Sequence, residues 1–204
     1  MSEDKIKAVT DEILYNKEKI LEEFDRESLE VYDFIQKRFR ESNGRIGKDR
    51  LFKFVFRSFY RLDNAGLGAD LKKKYFELLE SKENDLNKIL SILRGIETAR
   101  RKNTVQFSFA TKLLHTLDDK KPIFDSKINR VIKLKYTSKD IDSCAKAYKK
   151  LEEITEALLK KDEIMSVINE FKKRHEKEVS DHKALDFILW TLGKMKNKQK
   201  VKRR

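Results

Sequence analysis

Apolar residues recur three and four positions apart along almost the whole chain, the spacing that lines one face of an α-helix. Ile6, Val9, Ile13, Ile20 and Phe24 form a first stripe, and Leu29, Tyr32, Ile35 and Phe39 a second that ends before SNGRIG. Residues 49–62, DRLFKFVFRSFYRL, are apolar around most of a helical circumference, which predicts a central helix packed from several sides. Beyond the break DNAGLG, Leu71, Tyr75, Phe76 and Leu79 predict another helix, and Leu86, Ile89, Leu90, Leu93 and Ile96 the next, ending in ARRKN. On a helix starting near Phe107, residues Phe109, Ala110, Leu113, Leu114 and Leu117 share one broad arc. Ser108, Lys112 and His115 share the opposite, polar side, which by itself reads Lys112 as a solvated surface lysine. Pro122 holds the following approach extended, and Asp125 or Ser126 caps a helix carrying Ile128, Val131, Ile132 and Leu134. Ser138 is the expected cap for a long helix through Ile141, Ala145, Tyr148, Leu151, Ile154 and Leu158, and Ile164, Ile168 and Phe171 continue the period. Ser180 or Asp181 opens a last helix, DHKALDFILWTLG, which Gly193 is expected to end. With a single Pro and six Gly in 204 residues, the expected fold class is all-α.

Composition sharpens this picture in a few places. Hydrophobic residues at 39% with 13 Phe suffice for a core, and 41% charged residues cover it. The expected organisation is one all-α domain over residues 1–193, in which two helical lobes are allowed, followed by a basic tail at 194–204. That tail, KMKNKQKVKRR, carries seven positive charges and no acid, against a net charge of +13 for the whole chain. It reads either as a phosphate-tracking segment or as a solubilising terminus. Because no apolar run approaches membrane-spanning length and MSEDKIKAVTDE contains no apolar signal region, the expectation is an intracellular protein with no membrane partner. Cys144 stands alone, which rules out an intramolecular disulfide and reads as a small buried helix residue. GxxxxGK[ST], the dinucleotide fingerprint, HExxH and GxSxG are all absent, and His115, His175 and His182 lack metal-ligand spacing on one helix. Nucleotide hydrolysis and protein-held zinc are therefore not expected, and His175 and His182 are expected to face solvent.

One stretch carries candidate chemistry. FSFATK, residues 107–112, followed by PIFD, residues 122–125, resembles the helix-hairpin-helix DNA glycosylases, in particular their 8-oxoguanine DNA glycosylase-like branch. In that superfamily the pattern Pro-Gly-hydrophobic-Gly-x-Lys opens a helix, and a Pro-hydrophobic-Asp element follows at the next. Here Ser108 and Ala110 stand where the glycines would be, and PIFD has one extra residue. The match is confined to this part of the chain, with faint similarity in SFYRLDNAGL and DHKALDFILWTLG. The resemblance implies a two-lobed helical bundle with an interlobe cleft, Lys112 as nucleophile and Asp125 as catalytic aspartate. It implies a bifunctional DNA glycosylase and apurinic-site lyase that removes an oxidised purine, expectedly 8-oxoguanine, from duplex DNA. No metal or cofactor is needed, and a monomer suffices. Arg100, Arg101 and Lys102, with hairpin positions Ser108 and Ala110, are the expected DNA contacts. An enzyme of this kind extrudes its target base into a pocket, for which His115, Lys183, Asp186 and Trp190 are candidates and Phe56, Phe59 and Tyr60 are stacking platforms or core. The alternative is a non-catalytic helical module that binds nucleic acid or an acidic protein.

Overall fold

The structure, a computed structural model, describes residues 3–63, 66–96 and 104–202, with side chains through Asn197. The helices are α1 (Glu3–Tyr15), α2 (Lys17–Glu23), α3 (Glu27–Glu41), α4 (Arg50–Phe59), α5 (Ala69–Glu80), α6 (Leu86–Arg94) and α7 (Phe107–Leu117). They continue as α8 (Ser126–Ile132), α9 (Ile141–Leu159), α10 (Asp162–His175) and α11 (Asp181–Lys202), with one 3-10 turn at Ile46–Lys48 before α4. No strand occurs among the described residues, so the all-α expectation holds. The chain divides into two compact units, Met1–Asp25 with Asp119–Lys135 and Lys146–Arg204, and Arg26–Asp118 with Tyr136–Ala145.

The first unit is built on α11, against which α8, α10, α2 and α1 pack. The first hydrophobic stripe is buried as expected, but Asn16 divides it between α1 and α2. Gly193 does not end the last helix. It lies inside α11 at the crossing with α8, where an added Cβ would stand 2.1 Å from the Lys127 carbonyl oxygen. Glycine is required here by close approach rather than by a turn, and the helix continues beyond residue 193 with Met195 buried and Lys196 paired to Glu12 at 2.5 Å. His175 does not face solvent either. It is buried against the rings of Phe24 and Phe171, at centroid distances of 4.9 and 4.7 Å. His182 is half-buried and bonded to Glu156 at 2.9 Å.

The second unit holds α3 to α7, the 3-10 turn and the first residues of α9. Phe52 and Phe56 of α4 meet Tyr75 and Phe76 of α5 in an aromatic core, with Phe56 lying 5.8 and 5.7 Å from the two α5 rings. Helix α4 is not surrounded, contrary to its all-round apolar pattern. It packs on α3 and the 3-10 turn, leaving Leu51 53% and Phe54 62% exposed. Asp49 caps this helix, accepting the Phe52 amide at 2.9 Å and pairing with Arg38 at 2.5 Å. Asp140, not Ser138, takes the first cap bond of α9 from the Asp142 amide at 3.0 Å; the Ser138 carbonyl instead accepts from the Val105 amide.

Candidate functional site

Lys112 belongs to the second unit, in the second turn of α7. Most of this helix is buried, including Phe107, Ala110, Thr111, Leu113, Leu114, His115 and Thr116. Lys112 itself is half-buried rather than fully solvated. Its ammonium donates to the Tyr60 carbonyl at 3.4 Å and lies 5.0 Å from the Phe109 ring centroid and 5.9 Å from that of Tyr60. Tyr60 follows the last residue of α4, where the helix leaves carbonyls without intrahelical donors and presents its negative end. Two ring faces and a helix-end carbonyl therefore fix a long side chain that sequence alone leaves free. Phe109, three residues before Lys112, is legible from spacing. Tyr60, fifty-two residues away, is not.

Around Lys112 the expected polar side of α7 breaks up. His115 is only 1% exposed, and its Nε2 shares a 3.0 Å hydrogen bond with the Tyr32 hydroxyl, so it is turned into the packed side. Ser108 and Ala110 are helical from the outset, because α7 already begins at Phe107. Ala110 is fully buried, and the amides of Phe109 and Ala110 both donate to the Gln106 carbonyl, at 3.0 and 2.9 Å. Those amides are thus committed to the helix, and Ala110 offers no backbone donor to a DNA phosphate. Arg100, Arg101 and Lys102 lie outside the described residues.

In the first unit, Asp125 is the N-cap of α8. Its Oδ1 accepts the Lys127 amide at 2.7 Å and the Ile128 amide at 3.0 Å, so the cap uses one carboxylate oxygen for both bonds. The backbone at Asp125 is extended, as an N-cap requires, and Ile123 and Phe124 are buried on the way in. Helix α8 then packs on α11. On α11, Lys183, Asp186 and Trp190 stand at steps of three and four, on one face. Lys183 is 1% exposed, its Nζ lying 2.6 Å from Asp186 Oδ2 and 4.1 Å from the Phe187 ring centroid. Trp190 is half-buried, with the Lys194 ammonium 5.4 Å from its ring. Of the suggested stacking platforms, Phe56 is wholly core and Tyr60 nearly so, whereas Phe59 is half-buried and set edge-on to Tyr60 at 4.9 Å.

Among the described residues, open depressions of the first unit include one lined by Lys172, Glu176, Val179 and neighbours and one lined by Ile6, Thr10, Lys161 and neighbours. Neither includes a candidate catalytic or pocket residue. Among the described residues no three His, Cys, Asp or Glu side chains group as a metal ion requires, and no helix is long and apolar enough to cross a membrane. No family model, curated protein or solved structure matches the chain.

Proposed function

We propose that this protein is a DNA glycosylase and apurinic-site lyase of the helix-hairpin-helix type. In this reading two helical lobes flank a cleft, and a monomer removes an oxidised purine, 8-oxoguanine by preference, from duplex DNA. The observation that carries the reading is the place of Lys112: a half-buried primary amine in the second turn of α7, ten residues before the Pro122 that leads to the capping carboxylate Asp125. The two rings and the Tyr60 carbonyl hold its ammonium form, so the side chain must leave them and give a proton to solvent before it attacks. In the proposed reaction the neutral amine attacks the sugar carbon, the glycosidic bond breaks, and its electron pair leaves with the base, which takes up a proton. Asp125 stabilises the cationic character that develops at the sugar. The amine loses a proton and the sugar ring opens to give a Schiff base. Removal of a 2′ proton then expels the 3′ phosphate and cuts the strand.

Borohydride reduction of the full chain on an 8-oxoguanine duplex tests this directly. The expected result is a covalent protein–DNA adduct that Lys112→Gln abolishes and Asp125→Asn slows. An adduct that persists in Lys112→Gln, or none on any oxidised-purine duplex, overturns the proposal.

A second reading, a non-catalytic nucleic-acid-binding module, is favoured by one observation. The Phe109 and Ala110 amides, where the resemblance places a phosphate-binding hairpin, are consumed within α7. That reading expects binding that falls steeply with salt, shows no preference for the lesion and leaves no trapped adduct.

A further inference from the structure

Among the described residues of the second unit, the outward face of α4 holds the two most exposed large apolar side chains, ahead of Tyr136. Leu51 and Phe54 project into solvent, and Arg50, Ser58 and Arg61 are exposed beside them. Residues 50–61 contain no acid. Arg45 and Lys48, on the approach to the helix, are exposed as well. Two nearby cations have their own partners, Lys53 on the Gly47 carbonyl at 2.6 Å and Arg57 on Asp63 at 3.4 Å. Tyr15 is more exposed still, at 90%, but has Glu12 and Glu18 within one turn, so a phosphate near it meets like charge.

We propose that the outward face of α4 binds an unpaired nucleic-acid strand, with a base stacked on Phe54 and phosphates drawn to Arg50 and Arg61. The geometry favours this partner over an acidic protein. An amphipathic partner helix is anchored by several apolar side chains in a groove, whereas α4 offers two on a convex surface. A base needs a single flat ring with cations at either side, because every base has a π-face and each nucleotide carries one negative charge. Arg50 lies one helical turn before Phe54, about 6 Å along the axis, and Arg61 follows the end of the helix seven residues after it, so a cation stands on either side of the ring in the chain. Bases in a duplex are already stacked on both faces, so an unpaired strand is the form that gains from Phe54. This inference stands apart from the glycosylase reading and is untouched if no adduct is trapped.

The test is fluorescence anisotropy of the full chain with labelled oligothymidylate, with a duplex of matched length and with poly-glutamate. Phe54→Ala is expected to weaken single-strand binding about tenfold and duplex binding much less, while Phe54→Trp preserves it. Arg50→Gln is expected to lower the steepness of the salt dependence by about one. Exposure of Phe54 means that the thermal midpoint stays near that of the parent chain in both Phe54 variants. Equal single-strand affinity of Phe54→Ala and the parent overturns the inference. So does a loss confined to poly-glutamate, which assigns the face to an acidic protein.

Discussion

At Asp125, structure and proposed chemistry make separable demands on one carboxylate. The cap needs an oxygen acceptor at Oδ1, while the reaction needs a negative charge. Asp125→Ala is therefore expected to cost about 1 kcal/mol of stability in a urea melt, whereas Asp125→Asn keeps the cap and most of that stability. If the two variants are equally destabilised, the carboxylate charge rather than the acceptor holds α8. Asp49 adds a pH dependence. The Phe52 amide, then the Arg38 guanidinium, hold its carboxyl below the usual carboxylate range. The unfolded carboxyl therefore takes up its proton at higher pH than the folded one, and the stability present above about pH 4 is lost as acid titrates down through the folded value. Asp49→Asn is expected to flatten the fall in urea midpoint between about pH 5 and pH 2. Cys144 is the inert residue its isolation in the sequence suggests: burial, helped by Asp140, pushes its thiol up to about 11. At about pH 8 roughly one thiol in a thousand is ionised, so alkylation by iodoacetamide should proceed only once denaturant opens the helix.

At the scale of elements, a three-to-four spacing fixes which side of a helix faces inward when one face is apolar, and it loses that power when apolar residues surround the helix. The stripes of α1, α3, α5, α6 and α10 were legible for this reason, and their inward residues are buried, apart from half-buried Phe39, Leu86 and, beyond the end of α6, Ile96. Helix α4 was not, because Leu51 and Phe54 look as apolar as Phe52 and Phe56, and only the positions of α3 and α5 decide which pair is covered. The same limit hid His115 and His175, whose burial depends on partners far off in sequence, Tyr32 and Phe24. It also hid the Tyr60 carbonyl beside Lys112, while Asp125 was legible as a cap because a cap is local. Gly193 shows the ambiguity most sharply. Read locally, glycine ends a helix; read in place, it admits the α8 backbone at Lys127. The two readings predict opposite signs for Gly193→Ala. Helix propensity alone favours alanine by about 1 kcal/mol, but a methyl 2.1 Å from a backbone carbonyl must push α8 away. The expected result is a loss of about 1–3 kcal/mol or more in equilibrium urea unfolding. A stabilised variant means the two helices do not cross this closely.

For the molecule as a whole, the distribution of charge matters more than its sum. Seven positive charges lie in the last eleven residues, yet the beginning of that stretch is tied to the fold, through buried Met195 and the Lys196–Glu12 pair. Truncation after Asn197 removes five of the seven charges while leaving both anchors in place, so the thermal midpoint is expected to change little. Under the proposed glycosylase reading, its effect on DNA binding should be uniform. Lysine and arginine that neutralise phosphates release counterions whatever the sequence or lesion, each contributing nearly one to the slope of log affinity against log salt. The truncated chain is thus expected to lose affinity for damaged and undamaged duplex alike, with a salt slope shallower by up to about four. Binding curves at several salt concentrations check this. An unchanged slope would mean that these cations do not touch a DNA backbone. The preference for the lesion that the proposed reading requires is, by contrast, expected to survive the truncation, because distinguishing one base from another needs fixed rings and hydrogen-bonding groups that a run of lysines does not supply.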